Sequence, residues 1–165
     1  GVTWPYALID LAFAKAELAR LGGRPDESRR QLTLATNLLG DTVDRPPFRA
    51  QLQDRLGYLA DDLQQARAHR TAAWQAASEA GVTPLMAQVL VGIADLALRL
   101  GRYEQAARLL AASVQVRGMP DRSHPDADRI EQTVRSQLGE QRFTELTEQA
   151  TNTNWPELVD VTLAS

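Results

Sequence analysis

Residues 87–113 read AQVLVGIADLALRLGRYEQAARLLAAS. Alanine and leucine recur in it at steps of three and four residues, the spacing of one face of an α-helix. Gly101 interrupts the stretch, and glycine readily adopts the left-handed conformation that ends a helix. Small residues follow at Ala106 and Ser113, with the larger Leu110 between them. Because two antiparallel helices approach within about 8–10 Å, small residues at their crossing predict a helical hairpin.

The same arrangement recurs twice upstream. The three turns are Gly23, Asp61 and Gly101, separated by 38 and 40 residues. Small residues follow each turn at two equivalent positions, first at Ser28, Ala66 and Ala106 and then at Ala35, Ala73 and Ser113. A larger residue lies between the two positions in each hairpin, at Leu32, Arg70 and Leu110. Seven positions before the turns lie Ala16, Asp54 and Ala94. A single hairpin cannot bury its apolar side alone, so we expect the hairpins to stack into a curved superhelix with a concave face.

This reading predicts one all-α domain over residues 1–165. Three antiparallel helix pairs lie at about 3–40, 46–80 and 83–117, and C-terminal capping helices lie at about 126–164. The dipeptide Pro46-Pro47 predicts the end of a loop, because proline is excluded from the interior of a helix. Thr83 is the predicted N-cap of the fifth helix. Trp155 is expected to dock the last helix on the stack, and Trp74 to pack between repeats.

The third hairpin resembles a tetratricopeptide repeat (TPR). Gly101-Arg102-Tyr103-Glu104-Gln105-Ala106, followed by Leu110 and Ser113, is similar to the G-x-Y-x-x-A…L…A core of that motif. The other hairpins depart from it, since Pro25 stands where the aromatic residue belongs and Asp61 replaces the turn glycine of the middle one. The period is also longer than that of a standard TPR. The resemblance implies a TPR-like α-α superhelix.

A narrower resemblance covers residues from about 50 to the end. The run from Ala87 to Gly101 and the segment Arg135-Ser136-Gln137-Leu138-Gly139-Glu140-Gln141-Arg142-Phe143 are similar to the C-terminal helical repeats of actinobacterial AfsR/SARP-type and MalT-like LuxR-type transcriptional regulators. Those regulators also carry a DNA-binding domain and an ATPase module. The sequence has no G-x-x-x-x-G-K-[ST] phosphate loop. The resemblance therefore implies a regulatory, partner- or effector-sensing role in a larger protein, of which a chain opening on Gly1 without methionine is expected to be a fragment.

Composition argues against several function classes. The net charge is −3 and the 18 basic residues include a single lysine, Lys15, so direct nucleic-acid binding is not expected. The sequence has no run of about 18 apolar residues that would span a membrane and no recognisable signal peptide. It also has no cysteine, which fits the reducing cytoplasm.

Catalytic and metal-binding patterns are not found either. His69 and His124 lie in different segments, and neither has the second histidine at i+4 that a helical zinc site shows. No serine sits in a G-x-S-x-G elbow, and the carboxylates are scattered. We therefore expect a protein that is not an enzyme and that has no cofactor, with Asp61-Asp62 serving as a turn and a helix N-terminus.

The candidate binding surface is the concave face, which the first helix of each pair is expected to line. Counting back from the three turns gives Phe13, Glu17 and Arg20; Gln51, Arg55 and Tyr58; and Val91, Asp95 and Leu98. This mixture suits a protein or peptide partner, another domain of the same regulator, or a small effector. The alternative is a homo-oligomerisation scaffold without a separate ligand, in which the first helix pair, at Trp4 and Phe13, contacts a second copy.

Overall fold

The computed structural model describes residues 4–40, 45–121 and 124–164, and within them it is helical with no strand. The elements are α1 (Trp4–Leu21), α2 (Pro25–Leu39), α3 (Pro46–Leu59), α4 (Leu63–Ala80), α5 (Thr83–Arg99), α6 (Tyr103–Arg117), α7 (Pro125–Leu138), α8 (Glu140–Glu148), a short 3-10 helix (Gln149–Asn152) and α9 (Trp155–Ala164). Consecutive helices pack most extensively as the pairs α1 with α2, α3 with α4 and α5 with α6. The all-helical, paired architecture is therefore confirmed. Among the described helices, none is long and apolar enough to cross a membrane.

Two of the three hairpin turns are closed in the same way. Gly23 and Gly101 both have φ of +75°, a conformation that side-chain-bearing residues rarely adopt. The amide of Arg24 donates to the carbonyl of Ala19 at 2.8 Å, and the amide of Arg102 donates to that of Ala97 at 2.9 Å. The repeat seen in the sequence is thus also a repeat of backbone geometry.

The middle turn is built differently. Ala60 leaves α3 in an extended conformation, and the Asp62 carboxylate then caps α4 by accepting from the amide of Gln65 at 2.7 Å. This confirms the prediction that Asp61-Asp62 forms a turn and a favourable helix start. An aspartate cap replaces the left-handed glycine because it satisfies a first-turn amide that has no partner within the helix.

The predicted crossing residues are buried in all three pairs. The side chains of Ser28, Ala35, Ala66, Ala73, Ala106 and Ser113 are all less than 9% exposed. The two serines also satisfy their hydroxyls on the partner helix, where Ser28 donates to the carbonyl of Ala16 and Ser113 to that of Ala87, each at 2.7 Å. These two polar residues are compatible with the close approach of the paired helices because each hydroxyl finds a backbone acceptor.

Two local predictions were wrong by a residue or two. Pro46 and Pro47 lie in the first turn of α3 rather than in the preceding loop. First-turn amides have no partner in the helix, so a proline there loses no hydrogen bond. Similarly, α5 begins at Thr83 and its N-cap is Val82, one residue earlier than predicted.

The three C-terminal helices cover the end of the stack. α7 packs on α5 and α6, α8 packs on α6 and α7, and α9 contacts α4, α5 and α6. Trp155 of α9 meets Trp74 of α4 edge-on, with ring centroids 5.8 Å apart. This pair confirms that Trp155 docks the last helix and that Trp74 is a packing residue. The side chain of Trp4 lies outside the described part of the chain.

Candidate functional site

The nine residues predicted to line the concave face fall into two groups by exposure. Phe13, Val91 and Asp95 are buried, with 1%, 3% and 5% of their surface exposed. Glu17, Arg20, Gln51, Arg55, Tyr58 and Leu98 are half-buried. The first group therefore presents little surface to a ligand in this conformation, and the binding role of all nine stays a prediction.

Four of the nine residues take part in an ionic cluster that α7 completes. Here "ionic cluster" denotes Glu17, Arg20, Arg55, Asp95, Asp126 and Arg129. The Arg20 guanidinium of α1 donates to both carboxylate oxygens of Asp126, at 3.0 and 2.5 Å, and also pairs with Glu17. Arg129 of α7 donates to Asp95 at 2.7 Å and to Asp126 at 3.1 Å. The carboxylate of Asp126 thus joins α1 to α7.

Electrostatics of Asp126 show that the pairing is favourable. Burial by itself would raise the pKa of the Asp126 carboxyl, because it disfavours the charged form. The hydrogen bonds and charges of Arg20 and Arg129 outweigh that effect, so the pKa lies below its usual value. Asp126 is accordingly an ionised acceptor that fastens α7 to α1 across a sequence separation of 106 residues.

Arg55 also contacts two other members of the predicted face, Phe13 and Gln51. Arg55 lies 3.7 Å from the Glu17 carboxylate, and its guanidinium sits 4.9 Å from the centre of the Phe13 ring. It also donates to the backbone carbonyl of Gln51 at 3.3 Å. Leu98 packs against the larger core cluster, to which α3 to α9 contribute.

Tyr58 lies between this cluster and a second, buried charged pair. The guanidinium carbons of Arg20 and Arg70 are 4.3 and 4.1 Å from the centre of the Tyr58 ring, distances typical of cation–π contacts. Arg70 of α4 is 1% exposed and pairs with Asp54 of α3 at 2.7 Å. Burial raises the pKa of Asp54 and the charge of Arg70 opposes that rise.

Two glycines make room for the buried arginine. An ideal Cβ built on Gly57 of α3 or on Gly92 of α5 would lie 2.6 Å from the Arg70 guanidinium carbon, closer than real Cβ atoms approach. Arg70 therefore runs between α3 and α5 in a channel that only glycine leaves open. Asp54 and Arg70 occupy the positions that hold alanine and leucine in the other two hairpins. The middle hairpin thus replaces an apolar contact by an ion pair.

A cleft of about 480 Å³ lies between α5, α6 and α7. Its floor is apolar, with Val91 and Leu110, and Ser113 lies beside them. The described residues that complete its lining are Val114, Arg117, Met119, Pro120, Asp121, His124, Ala127, Asp128 and Glu131. Val91 is the member of the predicted set that lines this cleft. The sequence did not predict this cleft because its opposite walls come from α5 and α7. These two helices are not consecutive and come together only in the tertiary structure.

The histidines serve local structure. His69 Nδ1 and Gln53 Oε1 are 2.7 Å apart, and burial together with the charge of Arg70 lowers the pKa of His69. The ring of His124 accepts from the amide of Ala127 at 3.4 Å at the start of α7. Within the described residues, no group of three or more histidine, cysteine, aspartate or glutamate side chains could hold a metal ion.

Comparison with protein-family models, with curated proteins and with solved structures gives no match to this chain.

Proposed function

We propose that this chain is a TPR-like interaction module of a multidomain, cytoplasmic transcriptional regulator. It binds a partner protein, or another domain of the same regulator, and performs no catalysis itself. The observation that carries the proposal is the cleft between α5, α6 and α7, an apolar floor with a charged rim. Such a cleft suits a short polypeptide segment that inserts one apolar side chain.

The rim favours a basic segment. Among the described lining residues the charged side chains are Arg117, Asp121, Asp128 and Glu131. Asp121 pairs with Arg117 at 3.6 Å, so Asp128 and Glu131 give this described part of the rim its net negative charge. Asp128 is exposed and Glu131 is half-buried beside Arg135, at 3.7 Å. Complementary charge mainly steers encounter and fixes orientation, while burial of the apolar anchor supplies affinity. We therefore expect a segment with a leucine-like anchor flanked by lysine or arginine.

The segment on which the proposed kinship with regulators rests forms the joint between α7 and α8. Arg135 pairs with Glu140 and lies 4.3 Å above the ring of Phe143, while Gly139 has φ of +86°. These are four of the five fixed residues of the R-x-x-L-G-E-x-x-F segment. These contacts give the segment a structural role at the corner between α7 and α8 of this chain.

Fluorescence anisotropy with labelled ten-residue peptides tests the binding role. The probes are a peptide with a central leucine flanked by lysines, the same peptide with glutamates in place of lysines, and the same peptide with alanine in place of leucine. The lysine–leucine peptide should bind at least about tenfold more tightly than either of the others. In the protein, Asp128→Lys with Glu131→Lys should abolish that preference, whereas Glu148→Lys on the exposed surface of α8 should not.

Equal binding of the three peptides, or no binding at millimolar concentration, would overturn the assignment of the cleft. The regulatory role is tested separately by the reading frame that encodes the chain. A nucleotide-binding ATPase module in the same frame supports it, and a frame without DNA-binding or ATPase modules refutes it.

A further inference from the structure

A second cavity, of about 500 Å³, lies between α6, the 3-10 helix and the start of α9. It shares no described lining residue with the cleft between α5, α6 and α7. Its charged lining residues in the described chain are Arg108 of α6 and Glu157 of α9. The other described residues that line it are Gln149, Asn152, Thr153, Asn154, Leu158 and Val161. The cavity thus combines one cation and one anion with neutral polar and apolar side chains.

The guanidinium of Arg108 lacks a partner within the described chain. The side chain is half-buried, yet it makes no ion pair or hydrogen bond with a described residue. The glutamate one helical turn before it, Glu104, pairs instead with Arg142 at 2.6 Å. Partial burial of a charge without a partner costs free energy. An anionic ligand in the cavity would therefore interact favourably with Arg108.

The equivalent arginine of the first hairpin has its own acid. Two repeat spacings before Arg108 lies Arg30, which pairs with Glu27 at 2.7 Å. The position equivalent to Glu27 in the third hairpin is Gln105, whose amide oxygen accepts from the hydroxyl of Thr162 at 3.5 Å. A neutral residue that contacts α9 thus replaces the acid, and Arg108 faces the cavity instead of an intrahelical partner.

Glu157 supplies the opposite charge. It is exposed in the first turn of α9, where its amide donates to the side-chain oxygen of Asn154 at 3.2 Å. Its carboxylate forms no ion pair with a described residue, and it is too far from Arg108 to pair with it although both line the cavity. A ligand that carries both a carboxylate and an ammonium group can pair with both side chains at once.

The rest of the lining suits the uncharged parts of such a ligand. Leu158 and Val161 are neighbours on one side of α9, and Val161 is 48% exposed. Gln149 and Asn152 are exposed on the 3-10 helix, and their amide groups can both donate and accept hydrogen bonds. The volume also lies in the range of small-molecule sites, about 300–1,000 Å³.

We propose that this cavity binds a small zwitterion, either a free α-amino acid or a dipeptide, with an apolar side chain. Arg108 pairs with the carboxylate, Glu157 pairs with the ammonium group, and Leu158 and Val161 contact the apolar side chain. Polypeptide main chain presents neither charge and would leave both Arg108 and Glu157 unpaired. The site is independent of the cleft proposed to bind a peptide, so either assignment can fail without the other.

Isothermal titration calorimetry on the whole chain, with leucine and alanyl-leucine as the probes, tests the ligand class. At least one probe should bind with a dissociation constant below about 1 mM, and the tighter one identifies the source of the zwitterion. Its amide derivative lacks the carboxylate and its N-acetyl derivative lacks the ammonium group. Each derivative should bind at least about tenfold more weakly than the probe. A derivative that binds as tightly as the probe, or no binding of either probe at about 10 mM, overturns the proposal.

Substitutions test the position of the site. Arg108→Gln and Glu157→Gln should each weaken binding of the tighter probe at least about tenfold, because each leaves one charge of the ligand without its partner. The matched controls are Arg30→Gln, which removes the equivalent arginine of the first hairpin, and Asp160→Asn, which removes another exposed carboxylate of α9. Both controls should leave the affinity unchanged. An equal loss in the controls, or binding that Arg108→Gln and Glu157→Gln leave intact, refutes the site.

Discussion

Gly92→Ala should destabilise the protein, although the same change in an ordinary helix stabilises it. Gly92 lies in the interior of α5, where alanine is favoured over glycine by roughly 0.5–1 kcal/mol. In the structure, however, a Cβ at this position would lie 2.6 Å from the Arg70 guanidinium carbon and 2.6 Å from the Asp54 carboxylate. Helix propensity alone predicts that Gly92→Ala raises the free energy of unfolding, whereas a clash with the buried Asp54–Arg70 pair predicts that it lowers it.

The magnitude follows from the contacts that must shift. Overpacking a well-filled site costs about 1–3 kcal/mol, and fully separating a buried ion pair costs about 3–5 kcal/mol. If the guanidinium moves enough to weaken the pair without breaking it, the net loss after the propensity gain is about 2–4 kcal/mol. For a chain of 165 residues, this corresponds to a fall in melting temperature of roughly 5–15 °C.

Urea unfolding followed by circular dichroism, with thermal melts beside it, measures the loss. The control is the same substitution in the Asp54→Ala/Arg70→Leu background, which restores the residue types of the other two hairpins and removes the side chains that the new Cβ would meet. There Gly92→Ala should be neutral or stabilising by up to about 1 kcal/mol. If Gly92→Ala raises stability in the natural sequence, or changes it equally in both backgrounds, the reasoning about Arg70 is wrong.

Three further perturbations follow from the same contacts. Arg70→Leu alone should cost about 3–5 kcal/mol because it leaves the Asp54 carboxyl buried without its partner, whereas Asp54→Ala/Arg70→Leu should recover most of that loss in the same urea experiment. Asp126→Asn should speed amide exchange in α7 and cost about 1–2 kcal/mol at neutral pH. Because the pKa of Asp126 is lowered in the fold, the contribution of this carboxylate is complete above pH of about 4 and is lost as pH falls through the folded value. The stability difference between wild type and variant should therefore shrink in acid, and a difference that grows there would contradict the pairing. Trp155→Ala should cost about 1.5–3 kcal/mol and accelerate exchange in α9 while the α3–α4 pair stays protected; uniform acceleration would count against local docking through Trp74.

The hairpins could be predicted from the sequence because their causes are local. Gly23 and Gly101 take a positive φ at a turn, and small residues such as Ala106 lie at a helix crossing. Each of these residues acts within one helix pair, so each type recurs in the sequence at a fixed spacing. The same spacing identified Asp54 and Arg70 as the members of the middle pair that break the pattern. The spacing did not reveal that Asp54 and Arg70 pair with each other, because it shows only where a residue lies along the chain. It does not show which residue of the facing helix the side chain contacts.

The helical pairs, their turns and the residues that let each pair close can therefore be predicted from the sequence. Which faces of the helices remain exposed depends on the tertiary structure. Phe13 and Val91 are buried because neighbouring helices stack on them, and Arg20 meets Asp126 although 106 residues separate them. Conversely, Leu18 is exposed because no described helix packs on its side of α1. Helix formation depends on neighbours within a few residues, whereas burial and ion pairing depend on which distant segments the stacking brings together.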